Sequence, residues 1–97
     1  MKSFEEIKEV LIKLKPIAQK KYKVKEFGIF GSYVRGEQND ASDVDILIDF
    51  EQAPSLLKFI ELENYLSDTI GIKVDLVMKG VLKPKIGKNI LAEVIYV

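Results

Sequence analysis

The sequence predicts an α+β (α/β) domain, a small mixed sheet flanked by helices. Three observations predict it. Asp43–Phe50 and Ile72–Met78 alternate apolar and polar residues with the two-residue period of a strand. Phe4 to Leu14 and Leu56 to Ile70 instead repeat apolar residues every three or four positions, as amphipathic helices do. Along the chain these patterns come in the order helix, strand, strand, helix, strand, helix, which suits a sheet covered by helices. The 97 residues are read as one domain, 1–97. A chain of this size buries roughly 60–70 % of its unfolded surface, enough for a core but not for a deeply enclosed site.

Each element has a local reason. In the first helix Phe4, Ile7, Val10, Leu11 and Leu14 share a face, and Ser3 with Glu6 makes a capping box. Pro16 lacks a backbone donor, so a break near Lys15 is expected, with a short helical turn through Ile17 and Ala18 after it. Lys20 to Lys25 reads as a solvated helix end and connector. Glu26 to Phe30 is a short apolar run closed by Gly31-Ser32, a buried strand and a tight turn; Tyr33 to Glu37 can form one helical turn, and Gln38 to Ser42 is a polar loop.

In the next strand Val44, Ile46, Ile48 and Phe50 take one face, and Asp43, Asp45, Leu47 and Asp49 the other. Ala53-Pro54-Ser55 opens the second long helix and Gly71 caps its end. In the third strand Ile72, Val74, Leu76 and Met78 oppose Lys73, Asp75 and Val77; Pro84 starts a last helix before the apolar end Val94-Ile95-Tyr96-Val97.

Composition excludes whole classes of chemistry. Cysteine and histidine are both absent. That removes disulfides, thiol nucleophiles, Ser-His-Asp catalysis and His- or Cys-ligated zinc. Any catalysis rests on carboxylates, hydroxyls, Lys, the one Arg, or a bound metal. Fifteen basic residues balance fifteen acidic ones, which argues against direct nucleic-acid binding driven by net charge. The balance hides a gradient: residues 1–25 hold eight Lys against three Glu, whereas 26–50 hold one Arg against six acids. No apolar run approaches membrane-spanning length and no leader is visible, so the cytoplasm is the expected compartment.

The informative pattern is Gly31-Ser32, ten residues, then Asp43-Val44-Asp45. Aspartates two apart on a strand project from one face. If the strands carrying Asp45 and Asp75 are neighbours, three carboxylates meet on one side of one sheet. Two charges about 4 Å apart repel by about 4 kcal/mol at an effective dielectric near 20, so such a cluster must protonate or be neutralised by a cation. Oxygen ligands without His or Cys favour Mg²⁺ or Mn²⁺.

Gly31 allows close backbone approach, a turn starting at Ser32 presents amides to an anion, and Arg35 adds a guanidinium. Phosphate donors beside divalent-ion ligands describe a nucleoside triphosphate site. Gly-Ser alone is ordinary loop punctuation and Asp-x-Asp alone an ordinary solvated strand face. Their combination at this spacing arises in roughly one chain in a thousand of this length. An EF-hand reading fails at Leu47 and Ile48, and Gly28, Gly31 and Gly36 match neither a dinucleotide fingerprint nor a Walker A loop. Tyr33, Tyr65 and Tyr96 read as packing or interface residues.

Phe30-Gly31-Ser32, Arg35-Gly36-Glu37, Ser42-Asp43-Val44-Asp45 and Val74-Asp75-Leu76-Val77 resemble the minimal nucleotidyltransferases of the polymerase-beta superfamily, over most of the chain from Val24 onward. The resemblance implies a polymerase-beta-like nucleotidyltransferase fold and a two-metal mechanism. Asp43 and Asp45 would hold the Mg²⁺ of the triphosphate and, with Asp75, a second Mg²⁺ that activates an acceptor hydroxyl. Gly31 and Ser32 would grip the β- and γ-phosphates of ATP, with Arg35 and Ser42 also on the nucleotide side.

The chain further resembles the antitoxin of a minimal nucleotidyltransferase–HEPN toxin–antitoxin pair, in which AMP is added to a tyrosine of a helical ribonuclease toxin. A cognate HEPN protein is then the expected partner. Two alternatives stand beside this: an antitoxin that acts by binding alone, and an adenylyltransferase for a small molecule or RNA end. Self-association is left open.

Overall fold

The computed structural model describes residues 2–97. Helix α1 (Phe4–Tyr22) leads into strand β1 (Val24–Phe30) and the single-turn α2 (Ser32–Arg35). Strand β2 (Val44–Phe50), helix α3 (Leu56–Ile70) and strand β3 (Val74–Met78) follow. A 3₁₀ turn (Lys79–Val81), helix α4 (Pro84–Glu93) and a two-residue strand β4 (Ile95–Tyr96) complete the chain. The sheet order is β3-β2-β1-β4; β2 runs parallel to β3, and β1 is antiparallel to both of its neighbours. The mixed sheet flanked by helices is the predicted fold class.

One core lies on one face of the sheet. Ile7, Leu11, Leu14, Ala18 and Tyr22 of α1 and Leu62, Leu66 and Ile70 of α3 pack with Val24, Phe27, Ile29, Val44, Ile46, Ile48, Val74 and Leu76 of the strands. Burying each large aliphatic contributes about 1.5–3 kcal/mol, and this face supplies most of the fold's stability.

Four expectations need correction. Helix α1 does not break near Lys15; it runs through Pro16 to Tyr22. Pro16 costs about 3 kcal/mol in a helix interior. Here it lies on the solvent side, and Leu14, Ala18 and Tyr22 keep burying the inner face across it. Secondly, Lys20 to Lys25 holds the expected solvated helix end but no connector: Lys20 and Lys21 are helical, Lys23 caps α1 at φ 59°, and Lys25 is already in β1. Thirdly, β1 begins at Val24 rather than Glu26, because a bulge between Val24 and Glu26 turns Val24 to the same face as Phe27 and Ile29. Finally, the apolar end contributes a fourth strand, in which Ile95 and Tyr96 pair with Ile29 and Gly28. That strand needs Gly28: a Cβ there would stand 2.7 Å from Val94 Cγ2 and 2.8 Å from the Ile95 carbonyl.

The long helices follow from their caps. Ser3 Oγ accepts the Glu6 N–H and Glu6 accepts the Ser3 N–H, both at 3.2 Å, completing the capping box. Ser55 accepts the Lys58 N–H at the start of α3, and Gly71 closes α3 at φ 82°. Among the described residues no helix is long and apolar enough to cross a membrane.

Candidate active site

Two strands and one turn build the site. Parallel pairing sets Asp45 directly beside Asp75. Neighbouring strands lie about 4.8 Å apart, so their carboxylates leave the same face side by side. The register has identifiable supports. The Val44 N–H donates to the Lys73 carbonyl at 2.9 Å and starts the ladder. On the other edge of β3, the Val74 N–H donates to Ser67 Oγ (2.9 Å) and the Leu76 N–H to Glu63 Oε2 (3.0 Å). Side chains of α3 thus hold β3 on both sides of Asp75.

Antiparallel pairing sets Phe30 opposite Asp45, which brings the next residue, Gly31, against the Asp45 carboxylate. A Cβ on Gly31 would lie 2.1 Å from Asp45 Oδ2, and Gly31 has φ +83°. The positive φ favours glycine, and any larger residue would push the Asp45 carboxylate aside. The Gly31 carbonyl accepts the Val34 and Arg35 N–H groups and starts α2, so the Ser32 and Tyr33 amides stand at the head of that turn.

The carboxylates sense one another. Burial, then the charges of Asp75 and Asp43, push the Asp45 carboxyl up to about 6, against a smaller opposing pull from Arg35. Asp43, half-exposed, lies 3.9 Å from Lys73 Nζ. Asp75 is exposed. Tyr33 is buried below the turn; burial, with Asp40 and Asp43, raises its phenol above the ordinary range.

Among the described residues no three acidic side chains already close around one point. The donors nevertheless fit a hard divalent cation. All are carboxylate oxygens, and the repulsion that raises Asp45 is what a cation would relieve.

The structure therefore brings together Gly31, Asp45 and Asp75, with Asp43 near enough for its charge to raise Asp45. It places Ser32 at the head of α2 and Arg35 at its end. Ser42 closes its own loop instead: its Oγ accepts the Asn39 N–H at 2.9 Å, and its N–H donates to the Asn39 carbonyl at 3.0 Å.

Sequence reasoning missed Glu93. At the end of α4, its Oε2 accepts the Gly31 N–H at 2.9 Å and its Oε1 accepts Arg35 Nη1 at 2.6 Å. Arg35 Nε also bonds Glu37. Burial raises the Glu93 carboxyl, but Arg35 and the Gly31 amide outweigh it and hold the group below the usual carboxylate range. One signal was present: Glu93 is the only acidic residue after Asp75, in a stretch otherwise rich in Lys.

Comparison with known proteins identifies the family. Residues 11–97 match the nucleotidyltransferase domain family. The chain is 56 % identical over 97 residues to the protein adenylyltransferase MntA of Thermococcus cleftensis, covering 100 % of this chain and 98 % of the relative. A solved structure provisionally named a minimal nucleotidyltransferase superposes with a TM-score of 0.82 at 28 % identity, over 97 % of this chain and 95 % of that one. The fold is also shared with a chain of a complex described as tri-AMPylated Shewanella oneidensis HEPN toxin with MNT antitoxin (TM-score 0.69, 18 % identity, 93 % of this chain and 70 % of that one). The match over residues 11–97, together with 56 % identity to MntA along the whole chain, makes this protein a member of the nucleotidyltransferase domain family, among its minimal MntA-type enzymes.

Proposed function

We propose that the chain transfers AMP from ATP to a tyrosine hydroxyl of a HEPN-type toxin and thereby acts as its antitoxin. The observation that carries the reading is the register of Asp45 against Asp75 with Gly31 packed on the Asp45 carboxylate. The Thermococcus relative is named a protein adenylyltransferase, and the Shewanella antitoxin is described in complex with an AMP-bearing toxin.

In this reading Asp43, Asp45 and Asp75 hold Mg²⁺. Held there, Mg²⁺ would neutralise the carboxylates, lower the pKa of the acceptor hydroxyl and offset charge on the phosphates. The remaining work belongs to the chain itself. Gly31, Ser32 and Arg35 bind the β- and γ-phosphates and aim the α-phosphorus at the carboxylate edge. The acceptor oxygen attacks that phosphorus, the bond to pyrophosphate breaks, and the hydroxyl proton leaves toward water, to which Asp75 is open. An exposed carboxylate edge also suits a protein acceptor, because a side chain on another protein can reach it.

The test is transfer of label from α-labelled ATP, with Mg²⁺, to the HEPN protein encoded beside this chain. Labelled toxin is expected, and Asp45→Asn should abolish it. No label on a verified, folded partner would overturn the adenylyltransferase reading. A variant at Asp43 and Asp45 that protects cells in full would establish neutralisation by contact alone.

A further inference from the structure

Accepting Gly31, Ser32 and Arg35 as the phosphate-binding side of the site, we infer that Glu93 is a built-in competitor for the triphosphate. Its carboxylate holds the phosphate donors while no nucleotide is bound, and nucleotide binding displaces it.

The geometry carries this. A phosphate site on this turn would use a backbone N–H and a guanidinium, and both are engaged by one carboxylate. Its two oxygens, 2.9 Å from the Gly31 nitrogen and 2.6 Å from Arg35 Nη1, span the donors as two phosphate oxygens would. The ligand is part of the chain, brought from 62 residues away by α4. It shows that this corner of the molecule accepts an anion.

Electrostatics makes the contact competitive rather than supportive of nucleotide. The Glu93 charge is felt at Asp45, where it adds to the repulsion from Asp75 and Asp43. A polyphosphate entering beside those groups meets one more negative charge and finds the Gly31 N–H and Arg35 Nη1 taken.

The seat of Glu93 allows release. It is the last residue of α4, a helix in which Gly87 alone is buried. Withdrawing the side chain therefore disturbs little of the core, which is made by α1 and α3. The Glu93 side chain remains 21 % exposed, so solvent can replace the donors it gives up. Arg35 keeps Glu37 as a second partner and stays oriented when Glu93 lets go.

A rival role is mechanical: Glu93 could be a strut that keeps the Gly31–Arg35 turn in its binding shape. The two roles predict opposite signs. Calorimetric titration of the full chain with a non-hydrolysable ATP analogue, and separately with tripolyphosphate, both with Mg²⁺, distinguishes them in wild type, Glu93→Gln and Glu93→Ala. Competition predicts that both variants bind both ligands about tenfold more tightly, the scale of one charge-assisted hydrogen-bonded contact. Equal or weaker binding by the variants, with wild type still binding, overturns the competitor and leaves the nucleotidyltransferase site intact. No binding by any of the three overturns both.

Should the variants not fold, wild type alone answers. Tripolyphosphate must shift the Glu93 side-chain carboxyl ¹³C resonance together with the Gly31 amide. A Gly31 shift with the Glu93 carboxyl unmoved overturns the inference.

Discussion

Strand β2 has two faces, and they obey opposite rules. On one, Val44, Ile46 and Ile48 are almost wholly buried against α1 and α3. On the other, Asp45 sits between Asp75 and Gly31 with its carboxyl pushed up to about 6. The first face lowers the free energy of the fold. At Asp45 the second raises it, since like charges held side by side repel. At the Asp45 end of this seven-residue strand, alternate residues thus separate stability from the carboxylate edge, whereas Leu47, farther along the second face, is itself buried. The helix-packed face fixes the register, and the register sets the carboxylate pair.

That comparison can be broken from either side. The largest effect is expected on the charged face: Asp45→Asn or Asp75→Asn should lower AMP transfer about a thousandfold or more while leaving the circular dichroism spectrum unchanged. A transfer rate within tenfold of wild type would show that the pair is not catalytic. On the packed face, Leu62→Ala should cost about 2–5 kcal/mol, read by denaturant unfolding, with transfer per folded molecule nearly unchanged. Between the faces, Gly31→Ala should do both kinds of damage. It forces a side chain into Asp45 at positive φ, so we expect about 1–3 kcal/mol of destabilisation together with loss of transfer.

The smallest effect sharpens the comparison most. The folded Asp45 carboxyl titrates near 6, above its unfolded value, so the folded state binds the proton more tightly. The stability linked to that proton is fully present below about pH 4 and is lost as pH rises through 6. Metal-free Asp45→Asn should therefore melt a few degrees above wild type at pH 7.5, with the gap closing toward pH 4. Asp45 is only partly buried, so solvent screening holds the gain to about 1 kcal/mol. A lower melting temperature for the variant at pH 7.5 would mean that Asp45 stabilises the fold.

What the sequence disclosed follows the same division. Alternation in β2 and β3 was readable because a strand's period is short and both runs are long enough to repeat it. Gly31-Ser32 and Asp43-Val44-Asp45 were readable because they stand close together in the chain, and Asp75 because its strand alternates. Pro16 misled, because whether a helix survives a proline depends on tertiary burial of Leu14, Ala18 and Tyr22, not on local propensity. Strand β4 is two residues long and has no period to show; its place depends on the absence of a Cβ at Gly28. Glu93 meets Gly31 only after α4 folds back, a contact no local pattern encodes.

Paramagnetic broadening gives the most direct test of the carboxylate edge. Substoichiometric Mn²⁺ is added with a non-hydrolysable ATP analogue, and backbone amide signals are followed. Gly31, Asp45 and Asp75, which are distant in sequence, should lose intensity first and together. Broadening that spares Asp75, or that centres on any other acidic group, would contradict it.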